Sequence, residues 1–233
     1  MRPYRFDVIS LTPNYFDSLK EFGIIGRAFK LGIADLFTHN PRDFTFDQYK
    51  KVDDEPYGGG AGMVLKPEPI YEAYENISFC QKKRVLMLSP QGKPLEQSDL
   101  KRWSSDFGQL ILICGQYEGF DERIRLLADE EISIGDYVLT GGELPAMVVI
   151  SGVVRLLSGT LGTDKSLLEE SHTDLLLEHP QYTRPFDFRG VKVPAILRSG
   201  DHKAIDRWRF EQSKLRTKSR RPDLYERWMK TND

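Results

Sequence analysis

Three glycine-bearing segments hold most of the residues that could position a ligand. They are Leu88-Ser89-Pro90-Gln91-Gly92, Cys114-Gly115-Gln116-Tyr117-Glu118-Gly119 and Ile134-Gly135-Asp136-Tyr137-Val138-Leu139-Thr140-Gly141-Gly142-Glu143-Leu144-Pro145. Each follows a short apolar run of the kind that forms a buried strand. Glycine admits positive φ and close backbone approach, and N–H and C=O groups left open in such loops can read an adenine edge without side chains. Tight turns alone would explain any one loop. Three in register on one sheet edge point to a ligand site outside the carboxyl ends of the strands.

Other chemistries are disfavoured by what is missing. There is no G-x-x-x-x-G-K-[ST] run, no strand–G-x-G-x-x-G–helix unit and no G-x-S-x-G elbow, which argues against P-loop, Rossmann and α/β-hydrolase sites. His39, His172, His179 and His202 form no H-x-x-x-H pair, so a zinc hydrolase is not expected and no metal site is read from spacing. Cys80 and Cys114 lack ligand or redox spacing and read as buried free thiols in a reducing cytosol.

The elements that must hold these loops alternate. Strands are expected at residues 4–11, 32–38, 84–88, 110–114 and 131–134. Helices are expected at 26–31, 67–75, 95–104, 121–128 and 143–157, with another beginning at Pro13 behind Thr12 as N-cap. Residues 41–64, which include Gly58-Gly59-Gly60-Ala61-Gly62, have no period and read as one long loop. Short apolar strands alternating with helices predict an α/β fold with a mostly parallel sheet. The composition changes after residue 157. Residues 158–174 are rich in Gly, Thr, Ser and Glu, and two helices are expected beyond them, at 202–217 and 223–230. The expected organisation is a first domain at 1–160, a flexible linker at 161–175 and a basic helical domain at 176–233.

Apolar residues at 39% and charged residues at 29% fit a folded soluble chain rather than a disordered one. No run approaches the roughly 18 apolar residues of a membrane span, and the basic start Met1-Arg2-Pro3-Tyr4-Arg5 precedes too short an apolar stretch for a signal peptide. The net charge of −2 conceals an asymmetry. Residues 182–221 hold 12 Lys/Arg against 4 Asp/Glu, a net of +8, so the rest of the chain carries −10. A basic C-terminal stretch on an acidic body suits a face that meets phosphates; a solvated helix with alternating charge is the plainer alternative.

At this point a resemblance becomes specific. The segments Leu88–Gly92, Cys114–Arg123 and Ser133–Met147, together with Val52-Asp53-Asp54-Glu55-Pro56-Tyr57-Gly58-Gly59-Gly60, Pro180-Gln181-Tyr182-Thr183-Arg184-Pro185 and Arg207-Trp208-Arg209, closely resemble the bacterial tRNA (guanine-N1)-methyltransferase family, TrmD. The match runs in order from about residue 4 to about residue 225. The resemblance implies a fold of the SPOUT methyltransferase class, with a trefoil knot on the C-terminal side of the sheet and a small helical domain after it. It implies S-adenosylmethionine bent within the knot loops, held by Leu88, Ser89, Pro90, Gly115, Tyr117, Glu118, Gly119, Ile134, Gly135, Tyr137, Leu139, Gly141, Gly142 and Pro145. It also implies a cytoplasmic homodimer with active sites built from both chains. The substrate implied is the guanosine at tRNA position 37, whose methylation maintains the reading frame. Mg2+ enters from the family alone.

The chemistry sets a minimum. Guanine N1 carries a proton at neutral pH, so a base must accept it as the methyl bond forms. The negative charge that develops on O6 calls for a cation, and the rest is in-line positioning. The resemblance places the cation at Arg155, which would otherwise be a routine partner of a helix C-terminus. It aligns Glu170-Ser171-His172 with the family's Asp-Ser-Phe in the linker, so the expected base is Glu170, one methylene longer than the family's aspartate, with Asp174 as the alternative. Without the resemblance, Glu169 and Glu170 would be a solvated linker pair. Asp53 and Gly62 are carried over as neighbours of the substrate guanine, and Arg207 and Arg209 as tRNA contacts. Trp208 between them either stacks on a base or faces the core. Ala61 stands where the family has proline. Two alternatives remain: another SPOUT enzyme acting on rRNA or ribose, and a non-catalytic RNA-binding protein that kept the fold.

Overall fold

A computed structural model describes residues 2–80, 82–161, 171 and 175–232. The chain forms two compact units, Met1–Gly162 and Thr163–Asp233. Unit 1 is built on a five-stranded parallel sheet of β1 (Tyr4–Ile9), β2 (Ala34–His39), β5 (Lys83–Pro94), β6 (Gln109–Cys114) and β7 (Glu130–Ser133), in the order β2-β1-β6-β5-β7. A short antiparallel ribbon, β3 (Asp53–Asp54) with β4 (Val64–Leu65), stands apart from it.

A parallel sheet is covered on both faces, so its strands are apolar throughout rather than alternating. β6, with the sequence Gln-Leu-Ile-Leu-Ile-Cys, is buried at every position. Phe6, Val8, Leu86, Leu110 and Leu112 point to one side and pack with Trp103 of α4 (Gln97–Asp106) and with Ala146, Val149, Ile150 and Val153 of α5 (Glu143–Val154). Ile9, Val85, Met87, Ile111 and Ile113 point to the other, against Ile70 and Ala73 of α3 (Pro67–Glu75). Burying each large side chain contributes roughly 1.5–3 kcal/mol relative to exposure.

Several elements differ from expectation. After Thr12 the chain runs through a 3-10 turn (Pro13–Phe16) into two short helices, α1 (Asp17–Glu21) and α2 (Gly23–Lys30). Thr12 makes no cap hydrogen bond; its hydroxyl donates to Glu143 at 2.9 Å. The expected helix at 121–128 is a 3-10 segment, Glu122–Leu127, opened by the Asp121 side chain, which accepts from the Arg123 N–H. The presumed long loop at 41–64 contains a 3-10 turn (Pro41–Phe44) and the β3–β4 ribbon. β5 continues well past its expected end. Leu88 and Lys93 both pair with Ile132 of β7, so residues 89–92 bulge out of the ladder and the strand resumes.

Unit 2 contains α6 (His202–Arg220) and α7 (Pro222–Asn232), separated where Pro222 stops the first helix. Asp201 caps α6 by accepting from the Ala204 N–H at 3.1 Å. Phe210, Tyr225 and Trp228 pack the two helices together. The sequence reading of this part as helical omitted a hairpin, β8 (Asp187–Phe188) with β9 (Val191–Lys192). The linker range 161–175 lies almost wholly outside the described residues.

Candidate functional site

The three loops converge. At the bulge of β5 and the carboxyl ends of β6 and β7 they enclose a cavity of about 310 Å3, within the range of about 300–1,000 Å3 typical of small-molecule sites. Every residue expected to hold the cofactor lines it: Leu88, Ser89 and Pro90 from the first loop, Gly115, Tyr117, Glu118 and Gly119 from the second, and Ile134, Gly135, Tyr137, Leu139, Gly141, Gly142 and Pro145 from the third.

The walls are built largely of main chain. The third loop leaves β7, crosses to the end of β6 and enters α5. The Gly142 N–H donates to the Gly115 carbonyl at 2.8 Å, and Gln116 bridges to Gly141. A Cβ on Gly142 would lie 2.7 Å from the Cys114 Cα, so only glycine lets the two loops lie this close. Tyr117 has φ of 58°, a conformation that a bulky residue rarely adopts outside strained functional turns. The Glu118 N–H donates to the Met63 carbonyl at 3.0 Å, and the Leu65 N–H to the Gly119 carbonyl at 3.0 Å.

Those bonds bring in the β3–β4 ribbon. Asp53 pairs with Leu65, and a Cβ on Gly62 would fall 2.3 Å from Glu118 Oε1. Gly62 therefore abuts the Glu118 wall, while Asp53 sits on the neighbouring strand. Arg155 is the C-cap of α5 and half-buried. Leu144, Val148, Ser151 and Arg155 fall on one stripe of the helix by their spacing, and the first two are exposed. Arg207 and Arg209 lie in unit 2 on α6. Arg207 is exposed, Trp208 is partly buried, and Arg209 faces Asp206 at 3.6 Å. Glu170 and Asp174 lie outside the described residues.

Sequence reasoning missed Arg125 and Glu122, which also line the cavity. Arg125 donates from Nε to Glu122 Oε2 at 2.8 Å, from Nη2 to Gln91 Oε1 at 3.1 Å, and from Nη1 to Glu131. It thus ties the bulge at 89–92 to β7 and the 3-10 segment. Nothing local in the sequence marks it, because its partners are brought in by the sheet. Glu143 was visible only as part of the glycine-rich run. It is buried and accepts from Ser10 Oγ at 2.7 Å and from Thr12 Oγ1 at 2.9 Å, so it fastens the end of β1 to the start of α5.

Cys114 lies behind the second loop. Burial, with Glu143 nearby, pushes its thiol well above the usual range, so it remains a thiol and offers no nucleophile. Cys80, in contrast to expectation, is only partly buried, with its Sγ donating to the Lys82 carbonyl at 3.4 Å. Among the described residues no three His, Cys, Asp or Glu side chains cluster as metal ligands. Among them, too, no helix is long and apolar enough to cross a membrane.

A parallel sheet with helices on both faces and a cavity lined by three loops at its edge places unit 1 in the α/β class, as the SPOUT methyltransferases are. The family model described as tRNA (Guanine-1)-methyltransferase TrmD matches residues 4–227, and the chain belongs to that family. It is similar to proteins named tRNA (guanine-N(1)-)-methyltransferase from several organisms. That of Synechococcus sp. (strain CC9311) is 65% identical over 98% of this chain and 95% of its own length. That of Trichodesmium erythraeum (strain IMS101) is 56% identical over 94% and 97%. That of Nostoc punctiforme (strain ATCC 29133 / PCC 73102) is 51% identical over 96% and 94%.

Proposed function

We propose that this protein transfers a methyl group from S-adenosylmethionine to N1 of the guanosine at position 37 of tRNA. One observation carries the reading: the loop residues assigned to the methyl donor from sequence all line a single cavity at the carboxyl edge of the sheet. The cavity suits the donor in kind. Its glycines let the loops pack against one another, since a Cβ on Gly142 would fall 2.7 Å from the Cys114 Cα and one on Gly141 2.4 Å from Glu143 Oε2. Leu88, Pro90, Ile134, Leu139 and Pro145 offer apolar surface, and Glu118 places a carboxylate where a cationic ligand is favoured, while Glu122 is paired with Arg125.

The donor, when bound, supplies a methyl carbon made electrophilic by the sulfonium. This chain's residues do the rest. The loops fix the donor's orientation, and Asp53 and Gly62 edge the place where the base enters. Glu170 accepts the N1 proton; Asp174 is the neighbouring alternative. The Arg155 guanidinium stabilises the charge that develops on O6. Arg207 and Arg209, within the +8 region, hold tRNA phosphates. Mg2+ is implied by the family alone and takes no part in these steps.

The homodimer is supported by the α5 stripe. Leu144 and Val148 are 47% and 46% exposed, on a helix that is apolar almost all round, and they lead along the same face to Arg155. A second copy covering that face would place Arg155 at the shared boundary, as an active site built from both chains requires. The crossing of residues 134–142 to the end of β6 supports the trefoil knot. A cytoplasmic location follows from the substrate.

Tritiated methyl transfer to unmodified tRNA tests the reading. Incorporation is expected with guanosine at position 37 and is lost when that base is replaced; undiminished incorporation into the replaced tRNA overturns the assignment. In single-turnover assays Glu170→Ala should be slow and Glu170→Asp active. Near-normal turnover in Glu170→Ala, with a slow Asp174→Ala, would move the base to Asp174.

A further inference from the structure

In unit 2, residues 181–192 are exposed without interruption, yet they form an ordered hairpin rather than a coil. Arg189 and Gly190 have φ of 55° and 83°, the pair of positive values that a tight two-residue hairpin turn requires. Asp187 Oδ1 accepts from the Gly190 N–H at 2.9 Å and closes the turn. Phe188 pairs with Val191 and Asp187 with Lys192. The Val193 N–H donates to the Phe186 carbonyl at 3.0 Å and extends the pairing.

The alternation of a strand places Phe186 and Phe188 on one face with Val191, and Asp187 and Lys192 on the other. The apolar face is open: Phe186, Phe188 and Val191 are 42%, 61% and 72% exposed. Each ring carries a guanidinium, with Arg198 4.1 Å from the Phe186 centroid and Arg189 5.3 Å from that of Phe188. Residues 182–198 contain Arg184, Arg189, Lys192 and Arg198 against the single acid Asp187, whose carboxylate the turn already uses.

This combination selects its occupant. A two-stranded hairpin gains little stability alone, and a cluster of open aromatic surface is commonly a binding site. An apolar protein surface laid on this face would strip water from two arginines and give them no counter-charge. Unpaired nucleotides meet both demands, since each base has a flat face for a ring and each phosphate a charge for an arginine. We propose that Phe186 and Phe188 form a stacking platform for unpaired bases of the RNA substrate, with Arg184, Arg189, Lys192 and Arg198 engaging the adjoining phosphates. The proposal rests on the tRNA-methylation reading and adds to it a second, sequence-tolerant contact carried by unit 2.

The test uses full-length protein and an unmodified tRNA transcript, with dissociation constants taken from fluorescence anisotropy across a salt series. Phe188→Ala should weaken tRNA binding about tenfold at every salt concentration, and Phe188→Trp should restore it. Arg189→Ala should weaken binding and also lower the log–log salt slope by about 0.7–0.9. Melting temperature, sedimentation coefficient and S-adenosylmethionine affinity should stay at wild-type values, since these side chains are exposed and lie in the other unit from the cavity. Unchanged tRNA affinity in Phe188→Ala and in the Phe186→Ala/Phe188→Ala double variant, beside an active wild type, overturns the platform and leaves the methylation reading standing. A fall in sedimentation coefficient in the double variant also overturns it, by making the face an interface between copies. A wild-type protein that neither binds nor methylates tRNA overturns the reading beneath, and the platform with it.

Discussion

At Glu143 a carboxylate is only 3% exposed, and a buried charge must find donors or destabilise the fold. Its donors are Ser10 Oγ and Thr12 Oγ1, and as the first residue of α5 it also faces the positive end of the helix dipole. Glu143→Ala should therefore cost about 2–4 kcal/mol in urea unfolding, through a cavity and two hydroxyls left without an acceptor. Glu143→Gln, which keeps the volume and one acceptor oxygen, should cost about 1 kcal/mol. An unchanged urea midpoint in Glu143→Ala would show that the hydroxyls find acceptors elsewhere. Glu130 poses a different case. Burial raises its pKa, but hydrogen bonds from Arg102, Arg84 and Trp103 outweigh burial and hold it down to about 2, against an ordinary 4.5. A depressed carboxylate stabilises the fold above its unfolded pKa and loses that contribution as pH falls toward its folded one. The stability advantage of wild type over Glu130→Gln should thus be full above about pH 5 and shrink between 4.5 and 2, as read from melting temperatures of the two proteins over that range.

Between neighbouring elements, backbone clearance decides what can be built. The chain bulges at 89–92 and returns to pair Lys93 with Ile132, and a Cβ on Gly92 would stand 2.4 Å from the Ile132 backbone nitrogen. Gly92→Ala should push the bulge off β7 and distort one wall of the cavity, costing about 1–3 kcal/mol and lowering S-adenosylmethionine affinity in calorimetry. Gly108→Ala is the contrast: its nearest neighbour is the Cys80 sulfur at 3.7 Å, an ordinary contact, so stability and affinity should hold. Equal loss in both variants would mean that clearance at Gly92 is not what shapes the pocket. The same elements show what could be read from sequence. The loops were legible because an apolar run ending in glycine reports a strand edge, and the strands were central enough to be apolar throughout. The return of β5 was not, because Ser89-Pro90-Gln91-Gly92 looks like a strand end until Ile132 is known to lie beside it. Nor was the 3-10 form of Glu122–Leu127, since its apolar Ile124 and Leu127 satisfy either helix period. The β8–β9 hairpin did carry a signal, in the alternation of Phe186 and Phe188 and of Val191 and Val193 about Arg189-Gly190, but each strand is only two residues long.

For the molecule as a whole, positive charge is concentrated in one stretch of the chain. Residues 182–221, all in unit 2, carry +8 and the remainder −10, while the ligand cavity lies wholly in unit 1. Threading and self-association leave no trace in periodicity, which records which residues are buried and not the order in which loops cross; the expectation of a knot and of a second copy came from family resemblance alone. Charge, by contrast, adds without regard to order, so its consequence can be argued without either. Phosphate contacts release counterions and make RNA affinity fall steeply with salt, whereas a small-ligand cavity whose single cationic side chain among the described residues, Arg125, is already paired to Glu122 has little of that dependence. If about five phosphates are engaged, tRNA affinity should drop by about two to three powers of ten between about 50 and 200 mM salt. S-adenosylmethionine affinity should change less than about twofold over the same range, because its site contains no comparable run of cations. Steady-state assays should then show KM for tRNA climbing with salt while KM for the donor stays nearly level. A parallel rise in both constants would mean that donor and tRNA do not bind through separate surfaces, and that the concentration of positive charge in residues 182–221 does not mark the tRNA surface.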